Sequence, residues 1–232
     1  MPRGLNRFSY MVPAELASDI REGQLVRVPF RNSPILGIVQ ELTSSPTAET
    51  EKIKSVIDIV HKEPALSDSE RILLQTCAEW YGVSEGAMQK IALPPFSKKS
   101  LRAVSFTKKK SRKSTGANTL FHELYITPTD HASLLKKHLG SGQTLILVPE
   151  QSLIEEVKSS LPKNKQAEVI EWHSRLTAKQ QTDRWLQIRN NEKKIIIGTR
   201  SAVFLSFFDL KTIMVDYEHD DNHKHWDQAP RF

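Results

Sequence analysis

A single cysteine, Cys77, occurs in 232 residues, which excludes a disulfide framework and any cysteine-built zinc site and suits a reducing compartment. No run of 18 apolar residues occurs, and the opening MPRGLNRFSYMVP has no apolar stretch of signal-peptide length. The expectation is a protein of the cytoplasm that engages no membrane. Acidic residues are missing altogether between Ser97 and His122. That interval carries Lys98, Lys99, Arg102, Lys108, Lys109, Lys110, Arg112 and Lys113, eight positive charges against a net charge of +6 for the whole chain. The remainder is therefore net negative, and the positive charge is local. Such a segment favours a polyanion, because each phosphate neutralised releases counterions. Apolar residues make up 38% of the chain, enough for packed cores and too much for general disorder.

The basic interval divides the chain. Before it, residues 8–12 form a short extended run, and residues 24–30 alternate in polarity up to Pro29 and Phe30. Residues 35–42 suggest a second strand, with Gly37 marking a bend or a close backbone approach. Residues 43–50 read as a loop rich in Ser, Thr and Pro, and Ile53, Val56, Ile57, Ile59 and Val60 as one further strand. Ser67 with Glu70 three residues on is a capping-box pattern that predicts a helix start. Ile72, Leu73, Thr76, Cys77 and Trp80 follow at helical spacing as its apolar face.

After the basic interval, strand and helix patterns alternate. Strands are predicted at residues 145–148, from Val169, at 195–198 and at 212–215, all buried. Helices are predicted over 132–139, 152–161 and 178–190. Alternation of this kind argues for a parallel, doubly wound α/β sheet.

Several segments go beyond composition. Phe8-Ser9-Tyr10-Met11-Val12-Pro13, Val26-Arg27-Val28-Pro29-Phe30, Leu36-Gly37-Ile38-Val39, Ile53-Lys54-Ser55-Val56 and Trp80-Tyr81 followed by Ala92-Leu93-Pro94 resemble, in order and spacing, the 3′ DNA-binding domain of the PriA family of replication-restart helicases. Leu147-Val148-Pro149-Glu150, Trp172-His173-Ser174 and residues 197–204 (IGTRSAVF) look like that family's first RecA-like lobe, with Val215-Asp216-Tyr217-Glu218-His219-Asp220 at its DEEHD box. The resemblance implies an α/β protein with a small β-rich 3′ DNA-binding domain at 1–96, a basic linker at 97–118 and a partial RecA-like lobe at 119–232. It implies DNA, branched or 3′-ended, as the partner, with single-stranded DNA-binding protein or other primosome proteins beside it.

The departures from the family pattern are as informative. A P-loop needs glycines whose backbone N–H groups cradle phosphates, then a lysine. The corresponding stretch, Leu124-Tyr125-Ile126-Thr127-Pro128-Thr129-Asp130, has neither. Gly140-Ser141-Gly142-Gln143-Thr144 looks like GSGKT but lies between a helix and a strand in the wrong order, so it reads as a helix C-cap and turn. In the acidic box Asp216 is the remnant magnesium acid, Tyr217 stands where a water-orienting acid belongs, and Glu218 and His219 complete the remnant. The second lobe, the zinc cysteines and room for the winged helix are expected to be missing. ATP and magnesium, the family's cofactors, are therefore not expected to act here, nor is any metal, although Asp220, Asp221, His219, His223 and His225 cluster.

On the DNA side, the family's pocket for a terminal base and 3′-hydroxyl maps onto Phe8, Ser9, Arg31 and Lys54. Phe8 can stack on a base or belong to the core, whereas Tyr10 reads as core. Ser9 replaces the family's base-reading Asp, and Arg31 replaces a glycine. Residues 221–232, including Lys224 and Trp226, match the family's loop that senses single-stranded DNA. Three functions follow as expectations: a DNA-binding primosomal protein without ATPase activity, an ATP-dependent 3′–5′ helicase seen as a truncated chain, or a scaffold for replication proteins.

Overall fold

The computed structural model describes residues 7–44, 53–96, 119–125 and 127–223, and the chain forms two compact units, 1–107 and 108–232. The class is α/β. Unit 1 holds a three-stranded antiparallel sheet of β1 (Leu25–Phe30), β2 (Ser33–Ile38) and β3 (Asp58–Ile59), in the order β2-β1-β3. Val26, Val28, Ile20 and Val56 make its core, with Tyr10, Val12 and Val39 packed against them.

Several expectations change at this level. Residues 53–60 do not form one strand. Ser55 makes an isolated parallel bridge with Met11, while Asp58 and Ile59 pair with β1. The apolar positions there are not spaced by two, so Val56 is buried and Ile57 is exposed. Gly37 is not a close-approach position: a Cβ there would meet only Val28 Cγ2, at 3.9 Å. Gly23 is the glycine that space demands. Its φ is +81°, and an added Cβ would lie 2.0 Å from the Leu66 carbonyl oxygen.

The capping box is present as expected. Ser67 accepts from the Glu70 N–H, Glu70 accepts from the Ser67 N–H, and α1 runs Asp68–Tyr81 to an αL Gly82. Its buried face is the unexpected one. Leu74 and Ala78 are buried, whereas Ile72, Leu73 and Trp80 are exposed. Arg71 sets this rotation: it reaches Glu22 at 2.6 Å and the Gln40 carbonyl, drawing the 71–74–78 side of the helix inward. α2 (Glu85–Ala92) packs against α1.

Unit 2 is a partial RecA-like lobe. Its strands β4 (Gln143–Leu147), β5 (Val169–Trp172), β6 (Ile195–Gly198) and β7 (Leu210–Val215) form a parallel sheet in the order β5-β6-β4-β7. Its helices are α3 (Pro128–His138), α4 (Ile154–Ser160), the short α5 (Lys163–Gln166) and α6 (Ala178–Arg189). Ile146, Ile195 and Ile197 of the sheet, with Val148 just past β4, pack with Leu135, Ile154 and Val157 of the helices.

β4 and β6 are buried throughout, as continuous apolar strands should be. β7 is not. It is an edge strand whose exposure alternates, leaving Ile213 and Val215 about half exposed. α3 starts at Pro128, four residues before the expected position, because Thr127 and Asp130 form a capping box. It ends at Leu139 in an extended conformation, so no glycine C-cap forms there.

Candidate nucleic-acid interface

The N-terminal arm crosses the end of β1. The Tyr10 hydroxyl donates to the Pro29 carbonyl (3.2 Å), and the Met11 N–H donates to the Lys54 carbonyl (2.9 Å). Tyr10 is thereby a core residue. Phe8, two residues earlier, is 60% exposed and meets Phe30 edge-on, with ring centroids 5.3 Å apart. Arg31 follows Phe30 in the two-residue connection to β2, and its guanidinium carbon stands 5.6 Å from the Phe30 ring centre. The structure thus gathers Phe8 and Arg31 around Phe30, with exposed Ser9 beside Phe8 and exposed Lys54 on the chain segment bridged to the arm. Phe30 was not anticipated as part of this group. Its place in the alternation reads as core, and only the adjoining tight turn leaves its ring at a strand end.

Arg31 has φ +49°. Left-handed backbone is unfavourable for a residue with a Cβ, by on the order of 1 kcal/mol, and the first position of a two-residue hairpin loop commonly takes glycine for that reason. Arg31→Gly is therefore expected to stabilise unit 1 by about 1 kcal/mol, read as a higher urea midpoint with unchanged slope. A lower midpoint would show that the Phe30 contact outweighs the strain.

The acidic box lies in unit 2. Asp216 is 7% exposed and follows β7. Its Oδ2 accepts from His131 Nε2 (2.7 Å), and its Oδ1 accepts from the Tyr125 hydroxyl (3.2 Å) and the Tyr217 N–H (3.1 Å). Tyr125 stacks on the His131 ring at 4.4 Å. Burial, then the Asp216 charge, pushes the Tyr125 phenol well above its ordinary pKa, so it remains a donor. Tyr217 has φ +51°, and its hydroxyl donates to Glu156 (2.9 Å). Burial first, then that bond, also raises its pKa. Glu218 and His219 are exposed, and the His223 ring bonds the Asp216 carbonyl through Nε2 (2.8 Å). Among the described residues no group of three or more His, Cys, Asp or Glu is placed to hold a metal ion. His131, Tyr125 and Glu156 escaped the sequence reading, because each lies 60 or more residues from Asp216 or Tyr217 in the chain.

At the start of α3, Thr127 Oγ1 accepts from the Asp130 N–H (3.2 Å) and Asp130 Oδ2 accepts from the Thr127 N–H (3.1 Å). Within the GSGKT-like segment Gly142 is closely packed, since a Cβ there would lie 2.8 Å from the Asp209 carbonyl oxygen, whereas Gly140 and Ser141 are exposed. His173 is half-buried past the end of β5, its pKa lowered by burial and then by Arg184. Lys108, Lys109, Lys110, Arg112 and Lys113, with Lys224, His225 and Trp226, lie outside the described residues. No described helix is long and apolar enough to cross a membrane.

Residues 2–94 match the family model of the PriA 3′DNA-binding domain (3′BD). The chain is 28% identical over 240 residues to replication restart protein PriA of Rickettsia felis, covering 93% of this chain and 36% of that protein. It is 29% identical over 229 residues to the PriA of Helicobacter pylori strain J99, covering 91% and 35%. To the PriA of Haemophilus influenzae it is 37% identical over 94 residues, covering 40% and 13%. The chain spans little more than a third of the length of the curated relatives that match it along most of its length. With a match to a 3′DNA-binding domain at its front and similarity running on through the parallel lobe, the chain is similar to the PriA replication restart proteins along most of its length.

Proposed function

We propose that this protein binds DNA, branched or 3′-ended, in replication restart in the cytoplasm, and that it does so without ATPase activity of its own. The observation that carries this reading is the match of residues 2–94 to a 3′DNA-binding domain. The exposed Phe8, Arg31 and Lys54 and the basic residues between 98 and 113 supply the chemistry: an aromatic face for a base and cations for phosphates. Single-stranded DNA-binding protein and other primosome proteins are the protein partners this role calls for.

The chemistry around Asp216 supports the ATPase part of the reading. A magnesium acid needs a free carboxylate and a phosphate cradle needs free N–H groups. Here both carboxylate oxygens accept bonds from the protein, the α3 cap is closed by Asp130, and Pro128 has no N–H. The residues present do not fit a magnesium nucleotide. The greater length of the relatives favours a second reading, in which these residues work as the front part of an ATP-driven 3′–5′ helicase. ATP binding separates the two.

Affinity for a forked DNA, followed by fluorescence anisotropy across salt concentrations, tests the DNA-binding part. With roughly 4 to 6 phosphates engaged, log Kd should change with log salt at a slope of about 3 to 5. Replacing Lys108, Lys109, Lys110, Arg112 and Lys113 together with Ala should flatten that slope. No measurable binding in low salt would sink the proposal, and an unchanged slope would take the basic segment out of it.

A further inference from the structure

We infer that a cavity at the N-terminal edge of the parallel sheet, between the Gly140-Ser141-Gly142 turn and Lys194, binds a phosphate group. The inference goes beyond the DNA-binding reading above and does not depend on it. The cavity has a volume of about 280 Å³. Its walls are the turn that follows α3, Thr144 at the start of β4, Lys194 just before β6, and Lys165 and Glu168 on and after α5. The acidic box follows the last residue of β7, so the two sites lie at opposite ends of one parallel sheet.

Buried polar groups of a folded chain ordinarily have partners. Two groups in this cavity do not. Thr144 is 1% exposed, and its hydroxyl has no hydrogen-bond partner among the described residues, although its N–H donates to the Lys194 carbonyl (2.8 Å). Gly142 is buried as well, and its N–H meets no acceptor among the described residues. The N–H groups of Gly140 and Ser141 are also unspent there. Successive free N–H groups in a turn form a concavity suited to an anion.

The charges around the cavity point the same way. Lys165 Nζ donates to Glu168 Oε1 (2.8 Å), which neutralises the one carboxylate in the wall. Lys194 is half-buried, and its ammonium donates to the neutral Asn191 Oδ1 (2.8 Å). Among the described residues that ammonium has no carboxylate partner, so its charge is uncompensated. Gln143, beside Thr144, takes no part, because its side-chain amide is held by Ile188, Lys193, Phe208 and Asp209.

The donor set selects the ligand. A neutral molecule would leave the Lys194 charge unmet, and a cation would be repelled by it. Chloride could meet the charge but not a hydroxyl, an ammonium and several N–H groups at separate points of the wall. A phosphate group carries negative charge on several acceptor oxygens and satisfies them together through charge-assisted hydrogen bonds. Sites that enclose drug-sized ligands measure roughly 300 to 1,000 Å³. This smaller cavity accepts one phosphate group and not a whole nucleotide.

The test titrates inorganic phosphate into the full 232-residue chain and follows the amide resonances of Gly140 and Gly142 by NMR, with chloride at matched ionic strength as the control. Both resonances should shift saturably with phosphate, in the millimolar range, and stay in place with chloride. Lys194→Gln should weaken phosphate binding about tenfold, the loss expected of one charge-assisted bond. Thr144→Val should weaken it about fivefold, the loss of one neutral bond. The valine variant should not unfold at a lower urea concentration than the parent, because the hydroxyl it deletes holds nothing in the protein. Titrating Lys194→Gln with single-stranded DNA identifies the source of the phosphate: a lowered affinity marks the DNA backbone, an unchanged one a free ion. Resonances that phosphate leaves in place, shifts that chloride reproduces, or equal phosphate affinity in the parent and both variants would overturn the inference and leave the DNA-binding reading untouched.

Discussion

The purified protein is expected to bind no ATP at millimolar nucleotide and to show no DNA-stimulated hydrolysis above the protein-free rate. Phosphoryl transfer depends on positioning and electrostatics, so every group that holds the nucleotide must be free to meet it. Asp216, the one acid kept from the family pair, is buried, with His131 on one oxygen and Tyr125 and the Tyr217 N–H on the other. Recruiting it for magnesium would leave the buried His131 imidazole without its acceptor, costing about 1 to 3 kcal/mol, and would take the same acceptor from the half-buried Tyr125 phenol. At the start of α3 the Asp130 carboxylate already occupies the Thr127 N–H and adds negative charge where phosphates would sit. Tyr217→Glu should therefore restore nothing, because it changes neither the cap nor the His131 bond. Asp216→Ala should instead lower the stability of unit 2. DNA-stimulated turnover that disappears in Asp216→Ala would refute this account, whatever the stability of the variant.

Gln143→Lys should abolish the folding of unit 2 rather than create a phosphate site, although it completes a GSGKT motif. Gln143 is fully buried at the start of β4. Its Nε2 donates to the Ile188 and Lys193 carbonyls (2.8 and 3.0 Å), and its Oε1 accepts from the Phe208 and Asp209 N–H groups (2.8 and 3.1 Å). One side-chain amide thus joins the end of α6 to the segment entering β7, two parts of the lobe about 20 residues apart in sequence. A lysine can donate to the two carbonyls but cannot accept from the two N–H groups, and it places an unpaired charge in a site with no exposure. A loss of several kcal/mol is a large share of the roughly 5 to 15 kcal/mol that stabilises an ordinary domain. Urea unfolding followed by the fluorescence of Trp185, fully buried on α6, reads this directly. A variant as stable as the parent and able to bind ATP would refute it.

What could be read from the chain alone follows how local each feature is. The Ser67–Glu70 capping box rests on bonds three residues apart, while strand β6 at 195–198 and the alternation of strand and helix after residue 119 show as apolar runs and periodicity in the chain itself. The family resemblance was legible for a related reason, because its motifs are contiguous runs. The lack of a glycine phosphate loop was equally plain, since a glycine or lysine is either in the stretch or not.

Tertiary structure decided the rest, where a choice between equivalent local patterns depends on distant partners. α1 has two stripes that could face inward, and the bonds of Arg71 to Glu22 and to Gln40 select Leu74 and Ala78 over Ile72 and Trp80. β7 looks as buried as β4 in sequence, and only its place at the sheet edge exposes Ile213 and Val215. The engagement of Asp216 by His131 spans 85 positions, and the meeting of Phe8 with Phe30 spans 22. Composition and periodicity act over a turn of helix or a pair of strands. Which carboxylate is already satisfied, and which arginine stands against an aromatic ring, is settled by groups that only the folded chain brings within a few ångströms.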